Sequence, residues 1–153
     1  MPAIVDSIIL DRLDRLDDWA IDQFLRCAGP DSPLIATGLR HLGGALASAP
    51  PGAGIRGHVD GSHLMFGLGV PASSTAAVQI EAHLDRSLAS LAPWGTGLRS
   101  ASFSDRGSSL GASLPTDAVE RLRALRQALD PRHVFVATHE PPLSTTRNAK
   151  ETR

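Results

Sequence analysis

The sequence predicts an α+β domain, an antiparallel β-sheet with helices packed on one face, and three observations carry that prediction. Apolar residues recur at helical spacing in three stretches, another stretch alternates with the two-residue period of a strand, and the order lacks the regular alternation of a parallel sheet. At 153 residues, 42% hydrophobic and 20% charged, the chain has the size of one domain. It can bury about two-thirds of its unfolded surface without a disulfide or metal. One α+β domain is expected over 1–142, followed by a polar, frayed tail at 143–153.

Each element has its own local signal. Asp17 and Asp18 can cap a first helix in which Trp19, Ile21, Phe24, Leu25 and Ala28 form the expected apolar stripe, closed by Gly29-Pro30. Pro33 opens an expected strand from Leu34 to His41, which Gly43-Gly44 ends. The clearest strand runs from His63 to Val70, with Leu64, Phe66, Leu68 and Val70 on one face and glycines on the other that would admit another backbone or a ligand. Ser73 or Ser74 caps a long helix carrying Ala77, Ile80, Leu84, Leu88 and Leu91, which stops at Pro93. Leu98 to Phe103 reads as a further strand, followed by a Gly- and Ser-rich loop. Pro115 and Thr116 start the last helix, with Val119, Leu122, Leu125 and Leu129 facing inward, and Asp130-Pro131 ends it.

Composition excludes several function classes. Cys27 is the only cysteine, so there is no internal disulfide framework and no multi-cysteine metal site. A net charge of -1 from scattered residues, with no tyrosine, argues against nucleic acid as a partner. No apolar run approaches the roughly 18 residues of a membrane span, and Met1 to Leu10 lacks a signal-peptide pattern, so no membrane association and a cytoplasmic setting are expected.

Short motifs point to no specific chemistry. Gly52 to Gly57 has the spacing G-x-G-x-x-G, but two prolines precede it and a strand, not a helix, follows. Gly107 to Gly111 matches G-x-S-x-G around Ser109, with His133 or His139 downstream, yet Gly/Ser-rich loops produce that pattern by composition alone. His58, His63 and His83 lack the i, i+4 pairing that sets two imidazoles on one helical face, so no metal is expected.

The order of segments resembles a known family. Arg40-His41-Leu42-Gly43-Gly44-Ala45, Ile80 to Asp85, Leu91-Ala92-Pro93-Trp94, and Arg121 to Arg126 leading to Asp130-Pro131 and Phe135 look like the C-terminal, substrate-domain part of FAD-linked oxidases of the berberine-bridge-enzyme type. The resemblance runs from about Asp11 to Pro142 and is most specific in the helix that ends in Asp-Pro ahead of a phenylalanine. It implies the substrate-side portion of a flavin-dependent oxidoreductase, with FAD held mainly by an N-terminal flavin-binding domain that these residues do not include. The implied reaction is hydride transfer from a small-molecule substrate to the flavin, with reoxidation by oxygen. Ser100, Ser102, Thr138 and His139 would then border the cofactor, Arg40 and His41 would face substrate, and Phe103 and Phe135 would share one antiparallel surface.

The matched motifs also depart from the family. Relatives commonly carry Tyr-x-Asn-Phe where this chain has Ser100-Ala101-Ser102-Phe103, and Phe-x-x-Asn-His where it has Phe135-Val136-Ala137-Thr138-His139. A hydroxyl replaces the paired donor and acceptor of each amide, which weakens flavin hydrogen bonding, and the phenol is lost. Two readings follow: a portion that works with a separate flavin-binding chain, or a degenerate, non-catalytic binding or oligomerisation module that retains the sheet, with a homodimer covering its apolar face.

Overall fold

Ile4–Leu10 forms the first strand, β1, an element that the sequence reading leaves unassigned. The structure is a computed structural model, and it describes residues 2–10, 18–104 and 110–135. The expected tail, Thr138 and His139, and the serine of the G-x-S-x-G match lie outside the described residues. The other elements are α1 (Asp18–Cys27), β2 (Ala36–His41), β3 (His63–Gly69), α2 (Ser74–Leu91) and α3 (Thr116–Leu129). The strands form one antiparallel sheet in the order β1-β3-β2, with Ile4 opposite Gly69 and Ala36 opposite Leu68. This is the α+β architecture expected, with the sheet's centre taken by the strand that the sequence marks best.

Strand alternation divides the sheet into two faces. On the helix face Ile8, Leu10, Leu39 and Met65 pack with Ala20, Cys27, Leu88 and Leu91, while Ile4 packs with Ile80 and Leu84. Gly67 and Gly69 lie there too, and they admit a helix instead of a ligand. A Cβ on Gly67 would stand 2.6 Å from Leu84 Cδ2, and one on Gly69 would stand 2.6 Å from Ile80 Cγ2. The apolar spacing of α2 therefore works as expected, and Ser73 caps the helix by accepting the Ala76 N–H at 3.1 Å.

Two expected helix stripes are corrected. In α1 the buried residues are Ala20 and Cys27, whereas Trp19 is 58% exposed and Leu25 is also exposed. Small side chains let α1 approach α2, and Phe24 packs on the core as expected, but Trp19, Ile21 and Leu25 turn outward, where Trp19 rests on Trp94 at a ring separation of 5.5 Å. In α3 only Ala118 and Val119 are buried, and Leu125 and Leu129 are exposed. That helix packs through Leu122 and its first turns on Leu110, Leu114 and Ile55, which are loop residues that cover one side only.

The segment expected as a strand from Leu98 to Phe103 is also different. It runs along the outer edge of β1 without a regular ladder: Leu98 accepts the Ile9 N–H at 2.9 Å, Thr96 donates to Ile9, and Ala101–Phe103 then coils into a single 3₁₀ turn. The departure begins at Ser100, where the Ser7 hydroxyl replaces a backbone acceptor and receives the Ser100 N–H at 3.1 Å. Asp6, 1% exposed, anchors this seam. Its carboxylate accepts from Arg99 Nη1 at 2.6 Å, from the Ser104 hydroxyl at 3.2 Å and from the Ser7 N–H at 2.8 Å. A buried carboxylate so fully bonded can sit in an otherwise apolar strand.

Candidate functional site

The far face of the sheet, opposite α1 and α2, carries Ser7, Ile9, Leu64, Phe66, Leu68, Gly38 and Arg40 by register. At one end Ile9 and Leu64 are covered by Leu42, Val59, Leu98 and Phe103. The remainder holds an aromatic cluster. Phe66 and Phe103 have ring centroids 5.0 Å apart, and the Arg40 guanidinium stands 5.1 Å from both. Gly38 makes this possible, because a Cβ there would lie 2.6 Å from the Phe66 ring. A half-buried pair of rings with an exposed cation over them is a surface suited to a flat, electron-rich or anionic group.

The residues singled out from the sequence do not all converge on it. Arg40 is on this face, and Ser100 and Ser102 flank Phe103 in the neighbouring 3₁₀ turn, Ser102 exposed and Ser100 half-buried. The Ser100 backbone is held by Ser7. His41 is adjacent to Arg40 on a strand and so points to the opposite face, where its ring meets His63 edge-on at 5.2 Å. Burial and the neighbouring His41 hold the His63 imidazole below its ordinary value. Phe135 does not share an antiparallel surface with Phe103: it lies beyond α3, 74% exposed, its N–H donating to Asp130 at 3.1 Å. Asp130 also accepts from Val134, so the Asp-Pro signature serves here to close the helix and hold the chain that leaves it. Phe66 is the residue that sequence reasoning passed over as core. Its alignment with Gly38 across β2 is a register fact that no local pattern carries.

A concavity also lies elsewhere. A depression of about 540 Å³ on the helix side is lined by Asp22, Arg26, Asp31, Ser32 and His83. His83 donates there from Nε2 to the Cys27 carbonyl at 2.9 Å and lies 3.2 Å from the Ser32 hydroxyl, tying the end of α1 to α2. Among the described residues no group of three metal-ligating side chains occurs, and no helix is long and apolar enough to cross a membrane. The far face offers one wall, with rings and a guanidinium, and two depressions lie on the other side of the sheet.

This fold is that of a segment of a BBE-like protein. The chain superposes on the BBE-like 1 protein of Physcomitrella patens: over 92% of its own length it matches a variant of that protein at a TM-score of 0.76 with 20% identity, and the wild type at 0.73 with 19%. It spans only 30% of the length of those solved chains. No protein-family profile and no curated protein matches the sequence. The likeness expected from Arg40 to Ala45 and from the Asp-Pro helix end is thus present in the fold.

Proposed function

We propose that this chain is the substrate-side, C-terminal portion of an FAD-linked oxidoreductase of the berberine-bridge-enzyme type, whose flavin-binding part is supplied by other residues, on a separate chain or a longer one. The observation that carries the reading is the match of nearly the whole chain to under a third of a BBE-like protein at a TM-score of 0.76. The cluster of exposed Arg40 over half-buried Phe66 and Phe103 supports it, because it leaves on the far face a surface that a partner could cover. In this reading Arg40, Ser100 and Ser102 border the shared site, with Thr138 and His139 assigned to it by resemblance alone and His41 on the opposite face. The chemistry of the flavin, when bound, is oxidation of a small-molecule substrate. What these residues contribute is a wall that excludes water and a fixed positive charge.

The test is to co-express the chain with the product of an adjacent flavin-domain reading frame, purify the complex and record its visible spectrum. The expected result is a flavin spectrum in the complex and none in the isolated chain. A complex without flavin favours the second reading, a non-catalytic module, which the missing amides at Ser102 and Thr138 support.

A further inference from the structure

His41, the last residue of β2, and His63, the first of β3, meet across the sheet on the face away from Arg40. The Leu42 N–H donates to the Ser62 carbonyl at 2.9 Å, which makes His41 and His63 a non-hydrogen-bonded pair of the ladder, the kind whose side chains stand closest. Their ring centroids are 5.2 Å apart. A nitrogen bound to a metal at about 2.1 Å puts its ring centroid about 3.2 Å from the ion, so rings 5.2 Å apart can share one ion at an angle of about 110°, close to tetrahedral.

The hydrogen bonds around the pair bear on which nitrogens are available. The Ser62 hydroxyl donates to the Leu10 carbonyl at 3.4 Å, so its oxygen accepts from His63 Nδ1 at 3.0 Å. The lone pair of His63 is then on Nε2, and a hydrogen bond at the other nitrogen is the usual support of a ligating imidazole. His41 lies over Gly43, where a Cβ would collide with its Cε1, and its Nδ1 accepts the Gly43 N–H at 3.3 Å. Ligation through Nε2 of His41 moves the ring proton to Nδ1 and gives up that one long, exposed contact.

We infer that His41 and His63 form a site for one late first-row divalent cation, with water in its remaining coordination positions. Imidazole ligands without a carboxylate favour Cu²⁺ most, then Ni²⁺ and Zn²⁺, and do not suit Mg²⁺ or Ca²⁺. Among the described residues no third metal-ligating side chain joins the pair, so the site is an open one with exchangeable water, not a closed structural one. Spacing along the chain does not reveal it, because the two ligands are brought together by strand register. It lies off the Arg40 face and does not depend on the proposed function.

Calorimetric titration of the full chain with CuCl₂, NiCl₂, ZnCl₂ and MgCl₂ in a non-chelating buffer at neutral pH, with electron paramagnetic resonance of the copper-loaded chain, tests this. The expected result is one Cu²⁺ per chain with two imidazole nitrogens in its spectrum, weaker Ni²⁺ and Zn²⁺ binding, and no response to Mg²⁺. His41→Ala and His63→Ala should each weaken Cu²⁺ binding by about tenfold or more, because the second imidazole no longer acts at high effective concentration. Ser62→Ala should weaken it by about tenfold through the lost support of His63. His58→Ala, which breaks the exposed 2.9 Å contact of His58 with Asp60, should leave it within about twofold. Absence of Cu²⁺ binding overturns the inference, as does a single-nitrogen spectrum, or affinity that survives both His41→Ala and His63→Ala or is lost with His58→Ala. If His63→Ala fails to fold, His41→Ala, at an exposed side chain, decides alone.

Discussion

Asp6 shows how a single residue can hold a seam that no ladder holds. Its carboxylate gathers Arg99, Ser104 and the Ser7 N–H, and these contacts fix residues 95–104 against β1. Arg99→Ala should cost about 1–3 kcal/mol in urea unfolding, because it leaves a buried acceptor without its charged donor, whereas Ser102→Ala, on an exposed side chain, should cost under about 0.5 kcal/mol. Two further residues set the response to acid. Burial and His41 lower the His63 value, so the folded chain binds that proton less readily than the unfolded one. Stability from this site is present above the ordinary histidine value of 6.5 and is lost as pH falls through the folded value. Desolvation opposes ionisation of Asp130, but the Val134 and Phe135 N–H groups, with Arg126 and His133, outweigh it and leave its value lowered. Its contribution is present above the ordinary 3.8 and is lost below it. Unfolding free energy measured against pH should therefore fall in two windows, and His63→Gln should remove the upper one only.

At the scale of elements, the β3–α2 contact is the main joint of the helix face. Leu84 is fully buried and Ile80 nearly so, each against a glycine of β3. Gly67→Ala should destabilise the fold by about 1–3 kcal/mol through overpacking, read as a lowered urea midpoint at constant slope. The added Cβ would stand 2.6 Å from Leu84 Cδ2 and 2.9 Å from Leu34 Cδ1, so both leucines must shift to admit it. Ser73→Ala removes the cap of α2 and should cost about 1 kcal/mol in the same assay. α2 was legible because both its cap and its stripe are local. α1 and α3 were legible as helices but not in their orientation: their stripes are apolar on more than one side, and the buried side of α1 was chosen by the small residues Ala20 and Cys27, which let the helices approach.

At the scale of the molecule, one face of the sheet is built for burial by the chain's own helices and the other is only partly covered. Arg40 lies over two rings on that second face without contributing to the core. Arg40→Ala should lower the thermal midpoint of the isolated chain by only about 1–4 °C, since an exposed cation–π contact is worth about 0.5–1 kcal/mol. Titration with a flavin-bearing chain should by contrast show a loss of more than about 1 kcal/mol in affinity if that face is the interface. An unchanged affinity would place the partner elsewhere.

The sequence by itself determined the α+β class, the positions of three helices and two strands, and the likeness in segment order to part of a larger BBE-like protein, because periodicity, caps and turn residues act over a few neighbours. Only the tertiary structure decided that Ile4–Leu10 is a strand, since its alternation is broken by Asp6 and Ser7, whose partners are over 90 residues away. It likewise separated Arg40 from His41 by strand alternation, set Phe66 beside Phe103, and left Phe135 off the sheet. Those facts depend on register and on contacts between distant segments, and no local run of residues encodes which partner will arrive.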